Sequence, residues 1–228
     1  FALTLEFLES EFYKAGYAAG VAGTLAIPAG APLNAIKTIR DHEAAHVNFL
    51  KTAITSLGAT PVAFTAASFD FTAKGNFNNV FTDSGLFLAV AQTFEDTGVR
   101  AYKGQAPNLQ SSRAYLTAAL NIHSVEGRHA SHIRQMRRAL NALIPAGQVV
   151  KPWITLNQSG ITTGNAGTDA AIQKSYDGAT PESTVVQAGV TITGIGGNSF
   201  IDAKAASESF DEPLTKAEVL SIVGGFFY

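Results

Sequence analysis

Glutamate is oddly placed in this 228-residue chain. Between residues 12 and 181 it occurs three times only, as Glu43, Glu95 and Glu126, although it is a good helix former that costs little on a surface. Two of the three open a Glu-x-x-His tetrad: Glu43-Ala-Ala-His46 and Glu126-Gly-Arg-His129. With ten Glu and five His in the chain, chance supplies roughly 0.2 such tetrads. Two are therefore a signal. At i and i+3 of a helix a carboxylate and an imidazole point to the same side, the disposition needed to hold a metal ion.

The elements that must carry these tetrads can be read from the prolines. A proline in a helix interior costs about 3 kcal/mol, and Pro28, Pro32, Pro61, Pro107 and Pro145 leave proline-free stretches between them. Four helices are predicted there. The first runs from the start to about 22, with Leu5, Leu8, Phe12 and Ala19 on helical spacing. The second runs from about 33 to 57, ahead of Gly58. The third follows an N-cap at Asp83 or Ser84 and ends near Gly104, with Leu88, Ala91, Val99 and Tyr102 on one face. The fourth covers about 111–143, with Tyr115, Ala118, Ile122, Ile133, Met136 and Leu140 on one stripe. Both tetrads lie on apolar stripes, Ile36-Ile39-Glu43-His46-Leu50 and Ile122-Glu126-His129-Ile133-Met136. They are thus aimed into a core.

The first and third helices complete the pattern. Glu6 precedes Tyr13-Lys14 by seven residues and Glu95 precedes Tyr102-Lys103 by seven, so the chain reads as two related halves. Each half supplies one bare Glu and one Glu-x-x-His. Buried carboxylates without compensation are costly, and no Lys or Arg lies on these stripes near the four acids. Two divalent cations would neutralise Glu6, Glu43, Glu95 and Glu126, with His46 and His129 as neutral ligands. Oxygen-rich ligation with one imidazole per ion suits iron or manganese better than zinc or copper. Glu9 is an alternative to Glu6, although the alignment of the halves sets Glu9 opposite Gly98. Tyr13 and Tyr102, two turns past their glutamates, are either bundle residues or donors to a ligating carboxylate. His123 and His132 flank the fourth-helix pair as polar bundle residues, or one of them supports the site or adds a ligand, and His42 is expected to face solvent or an interface. Gly98 and Gly127 suggest close approach of a neighbouring element.

The connection 59–82 is long and carries Phe64, Phe69, Phe71, Phe77 and Phe81, so it is expected to pack along the helices. Beyond Pro145 the composition shifts to Gly, Thr, Asn and Ser, read as loops with short strands around Val190, Ile192 and Ile195. A capping box, Thr215-x-x-Glu218, announces a final short helix. The expected organisation is a helical domain over 1–146 and an extension over 147–228 packed on it. The acids of 169–218 face a basic 100–138, which suggests that the extension folds back near Arg134, Arg137 and Arg138.

Composition sets outer limits. No cysteine is present, which excludes thiol catalysis, disulfides and cysteine-ligated metal. A net charge of −2 gives no electrostatic case for nucleic acid or an anionic membrane, and no apolar run reaches the roughly 18 residues of a membrane span. The chain opens inside a helical pattern, with no basic or cleavable targeting segment in view. A removed or unrepresented upstream segment is expected.

The segments FALTLEFLESEFY (1–13), DHEAAH (41–46), FEDTGVRAYKG (94–104), VEGRH (125–129) and SFDEPLT (209–215) resemble the ferritin-like superfamily, and within it the ferritin-like domain proteins of the desiccation- and stress-associated group. The resemblance implies a ferritin-like four-helix bundle with a long crossover between the second and third helices, a dinuclear iron or manganese centre, and export to the periplasm or exterior. Redox chemistry on peroxide or dioxygen would follow, with no catalytic residue beyond the metal centre. The alternative is a non-catalytic exported structural, stress or assembly protein with a vestigial or structural metal site. A homo-oligomer or surface assembly is compatible with either.

Overall fold

Helices form where the prolines permit them. The computed structural model describes all residues, 1–228, and its long helices are α1 (Ala2–Ala22), α2 (Ala31–Ser56), α3 (Ser84–Gln105) and α4 (Arg113–Ala139). Helix α1 ends on Gly23 in the left-handed conformation, whose N–H donates to Ala19 and Gly20 carbonyls, the usual way of satisfying a helix C-terminus. Helix α2 opens with Pro32 in its first turn, where a missing N–H costs nothing. Asp83 caps α3 by accepting from the Leu86 N–H at 3.0 Å. The remainder is α5 (Ala166–Gln173), the two-residue strands β1 (Val186–Gln187) and β2 (Val190–Thr191), α6 (Ala203–Ser207) and α7 (Lys216–Val223). The strands pair antiparallel, Val186 opposite Thr191. No helix is long and apolar enough to cross a membrane.

The chain divides into two compact units, 1–90 with 223–228, and 91–222. In the first, α1 packs on α2, and the long connection between α2 and α3 is held by aromatic rings. Phe12, fully buried, stacks on Phe87 at 4.9 Å and meets Phe71 and Phe81 at 5.7 and 5.5 Å. Phe77 stacks on Phe226 at 5.6 Å, while Phe69 bridges to Phe227 backbone to backbone. Gly16 is required where it stands, because a Cβ there would run into the Phe87 ring.

The second unit is held differently. Every α3 residue from Phe87 to Tyr102 is buried, so from Ala91 on its polar residues are covered as well as its apolar ones. Part of that cover is the region beyond α4. Arg100, wholly buried, donates to the carbonyls of Ser175 (2.5 Å), Asp177 (3.0 Å), Thr180 (2.7 Å) and Glu212 (2.9 Å) and pairs with Glu182 at 2.7 Å. Arg137 donates to Gln92 and to the carbonyls of Ala142, Leu143 and Gly160. Asp96 accepts from Arg134 and from the Tyr176 hydroxyl. Segments 94–104 and 209–215 meet directly: Lys103 donates to the Asp211 carbonyl, and the Leu214 N–H donates to the Arg100 carbonyl at 3.1 Å. A Cβ at Gly104 would collide with the Leu214 carbonyl, so this glycine admits the close approach and is not a helix stop.

Three expectations are corrected. The fourth helix ends at Ala139, not near 143, because Asn141 and Leu143 turn through positive φ and Arg137 gathers the carbonyls there; Leu140 therefore leaves the stripe and is exposed. Gly127 has open space where its Cβ would lie and so marks no close approach. The loop reading of 147–212 missed α5, capped by Asn165 through the Gly167 and Thr168 N–H groups, and α6, capped by Asp202. The fold-back of this region onto α4 is present, but it runs through Arg137 to carbonyl oxygens and leaves Arg138 exposed.

Candidate metal centre

Each unit assembles one triad from the residues singled out by spacing. In the first, α1 brings Glu6 and α2 brings Glu43 and His46. The His46 Nδ1 lies 3.0 Å from Glu6 Oε2 and 3.2 Å from Glu43 Oε2. In the second, α3 brings Glu95 and α4 brings Glu126 and His129, with His129 Nδ1 at 3.2 Å from Glu95 Oε2 and 3.8 Å from Glu126 Oε2. Within each triad the potential ligand atoms lie within 4.8 Å of one another. All four carboxylates are fully buried, and the imidazoles nearly so.

The local fold explains the convergence. Spacing of i and i+3 turns Glu and His of a tetrad to one side of their helix, and the neighbouring bare Glu faces the same imidazole from the adjacent helix. In both triads Nδ1 is the nitrogen turned toward the carboxylates. Two carboxylates placed this close in a dry interior repel unless protons or a cation intervene. Two hard oxygen donors and one imidazole are a donor set for a divalent transition ion, so the residues present fit the metal that the spacing implies.

The remaining candidates fall as follows. Glu9 is buried on α1, while the contact to His46 Nδ1 is made by Glu6. Tyr13 is fully buried, edge-on to Phe12 and Phe87 at 5.5 and 6.3 Å, and Tyr102 is buried on α3. His123 is half-buried, and its Nδ1 is enclosed without a hydrogen-bond partner. His132 and His42 are exposed.

Sequence reasoning missed the groups that fix α3 beside the second triad. Asp96 directly follows Glu95 and is held from two sides, by Arg134 of α4 and by the Tyr176 hydroxyl at 2.6 Å. Burial, then the adjacent Asp96 carboxylate, pushes the Tyr176 phenol well above its usual range, so it stays a donor. Gln92 donates to the same hydroxyl at 2.9 Å and accepts from Arg137 at 2.6 Å. Burial pulls the Arg137 guanidinium down to about 10, which leaves it charged at neutral pH. The same burial pushes Glu182 up to about 8 against the pull of Arg100. The available signal was the cluster of polar types, Gln92, Asp96, Thr97 and Arg100, on a helix otherwise fit for a core.

Searches of curated proteins and of solved structures return no match for this chain. The family model of the ferritin-like domain matches residues 1–139, a span that contains both tetrads, both bare glutamates and all four long helices. A mainly helical, bundle-type fold with a small two-stranded sheet near the C-terminus, together with this match, shows that the chain belongs to the ferritin-like domain family.

Proposed function

We propose that the chain is a dinuclear iron or manganese protein acting on peroxide or dioxygen in stress protection. In this reading Glu6, Glu43 and His46 would hold one ion, and Glu95, Glu126 and His129 the other. The carrying observation is that each unit independently buries one bare Glu and one Glu-x-x-His around an imidazole Nδ1. When bound, the ions would supply one-electron redox chemistry between M(II) and M(III). The chain's own part is to hold donors. With a cation bound, each Nδ1 would offer its lone pair to the ion and Nε2 would carry the ring proton, so the imidazole would be a neutral ligand. The buried setting excludes bulk water and strengthens every charge interaction in it.

The test is direct. Protein isolated without added metal should carry about two Fe or Mn per chain by elemental analysis, and the metal-loaded protein should consume peroxide or oxygen faster than its Glu43→Ala variant. Equal consumption by the two would refute the redox reading. The rival, an exported non-catalytic assembly protein, draws on the exposed apolar side chains of the C-terminal region, Trp153 and Phe200 among them. It predicts that removing metal changes stability or assembly while no turnover is ever seen.

A further inference from the structure

The unit formed by 91–222 holds a cavity whose lining includes none of the candidate metal ligands. It measures about 350 Å³ and is lined by Arg134 of α4, Gln148, Lys151, Trp153, Gln158 and Lys204 of α6 among others, and by no acidic residue. Its most informative member is Arg134. This residue is only 4% exposed, and one arm of its guanidinium, Nη2, is taken by Asp96. Its side chain has no further hydrogen bond within the chain beyond that to Asp96, and Arg134 lines the cavity. Lys204 has no ion-pair partner in the chain. Lys151 is anchored by Glu208 at 2.5 Å and stands 5.8 Å from the centre of the Trp153 ring. Trp153 as a whole is 49% exposed.

These groups differ in kind, and together they restrict the ligand. A guanidinium edge in a nearly dry setting is a strong donor to carboxylate or phosphate oxygens. The indole of a half-exposed tryptophan offers a flat apolar face. Two carboxamides, Gln148 and Gln158, offer both donors and acceptors to neutral hydroxyl groups. The volume falls within the range of small-molecule sites.

We propose that this cavity binds an anionic sugar: a pyranose whose carboxylate or phosphate is received by Arg134 and Lys204, whose apolar ring face lies on Trp153, and whose hydroxyls meet the two glutamines. The shared chemistry is an anion on a sugar ring. A uronate of an acidic polysaccharide and a soluble sugar phosphate both satisfy it.

Titration calorimetry of the intact protein with D-glucuronate, glucose 6-phosphate and glucose tests this. At least one of the two anions should bind about tenfold or more tightly than glucose, and binding should weaken as ionic strength rises. Whichever anion binds better identifies the source. Lys204→Glu and Trp153→Ala alter exposed or half-exposed side chains and should keep the helical circular dichroism of the parent, while each weakens the preferred anion about tenfold. Neither anion outcompeting glucose would overturn the proposal. So would undiminished binding in both folded variants.

Discussion

The two triads are built from the same three residue types at the same spacing, yet the units that hold them are stabilised by different forces. Around Glu6, Glu43 and His46 the unit is closed by rings: Phe12, Phe71, Phe81 and Phe87 in mutual contact, and Phe69 and Phe77 against the chain's last residues. Around Glu95, Glu126 and His129 it is closed by directional bonds, in which Arg100 and Arg137 gather backbone carbonyls and Asp96 ties Arg134 to Tyr176. Dispersion and hydrophobic burial tolerate a change of shape, provided volume is nearly kept. Hydrogen-bond geometry in a dry interior does not, because each unmet acceptor carries its own desolvation cost. One donor set can therefore be held by either means, with different sensitivity to substitution.

The largest effect should come from a conservative change in the second unit. Arg100→Lys keeps the charge but loses the planar fork, and one ammonium cannot serve Glu182 and four carbonyls at once. Each carbonyl left without a donor costs about 1–3 kcal/mol, so the total loss should be at least about 3 kcal/mol. Phe12→Leu, the matching apolar change in the first unit, leaves no polar group unpaired and should stay below the roughly 3 kcal/mol at which Phe→Ala truncations begin. Urea unfolding of the two variants makes the comparison. If Arg100→Lys costs no more than Phe12→Leu, the two units are not held differently.

What could be read beforehand follows the same division. Long helices and both triads were legible because proline spacing, apolar stripes and the scarcity of Glu act within one segment. The phenylalanines of 59–82 were legible as packed, since aromatic density is a property of composition. The bonds that close the second unit were not. The partners of Arg100 and Arg137 are mostly carbonyl oxygens, and a carbonyl is the same at every position of a sequence. Helix α5 was hidden for a related reason: eight residues read AGTDAAIQ, too short for periodicity to show, and only the Asn165 cap hinted at it. Leu140 misled because a stripe continues on paper past the point where Arg137 ends the helix by drawing the chain around itself.

A middle-sized effect separates the units by pH. Glu182 has an ordinary value of 4.5 and is pushed up to about 8, first by burial and against Arg100. A raised carboxyl means that the unfolded chain releases this proton near 4.5 while the folded one holds it to about 8. Its contribution to stability is therefore fully present below about 4.5 and is lost as pH rises through about 8. Glu182→Gln, which cannot ionise, should flatten the fall in stability between these limits, as measured by urea midpoints across the range. An unchanged pH profile in the variant would remove Glu182 as a source of that fall.

The smallest effect probes a contact that spacing revealed only in part. Thr215 and Glu218 form the expected capping box of α7: Glu218 Oε2 accepts from the Thr215 N–H and hydroxyl, and Thr215 Oγ1 accepts from the Glu218 N–H. Loss of such a cap costs about 1 kcal/mol, and Thr215→Ala should show that loss in denaturant. Glu218 does more, because its other oxygen accepts from the Ala179 N–H at 2.7 Å, in the loop whose carbonyls Arg100 gathers. Glu218→Ala should therefore cost more than Thr215→Ala. It should also lower the protection of the Ala179 amide from hydrogen exchange, which Thr215→Ala leaves less changed. Equal losses in the two variants, with Ala179 protection alike, would mean that the cap acts on α7 alone and that Arg100 needs no help in holding this loop.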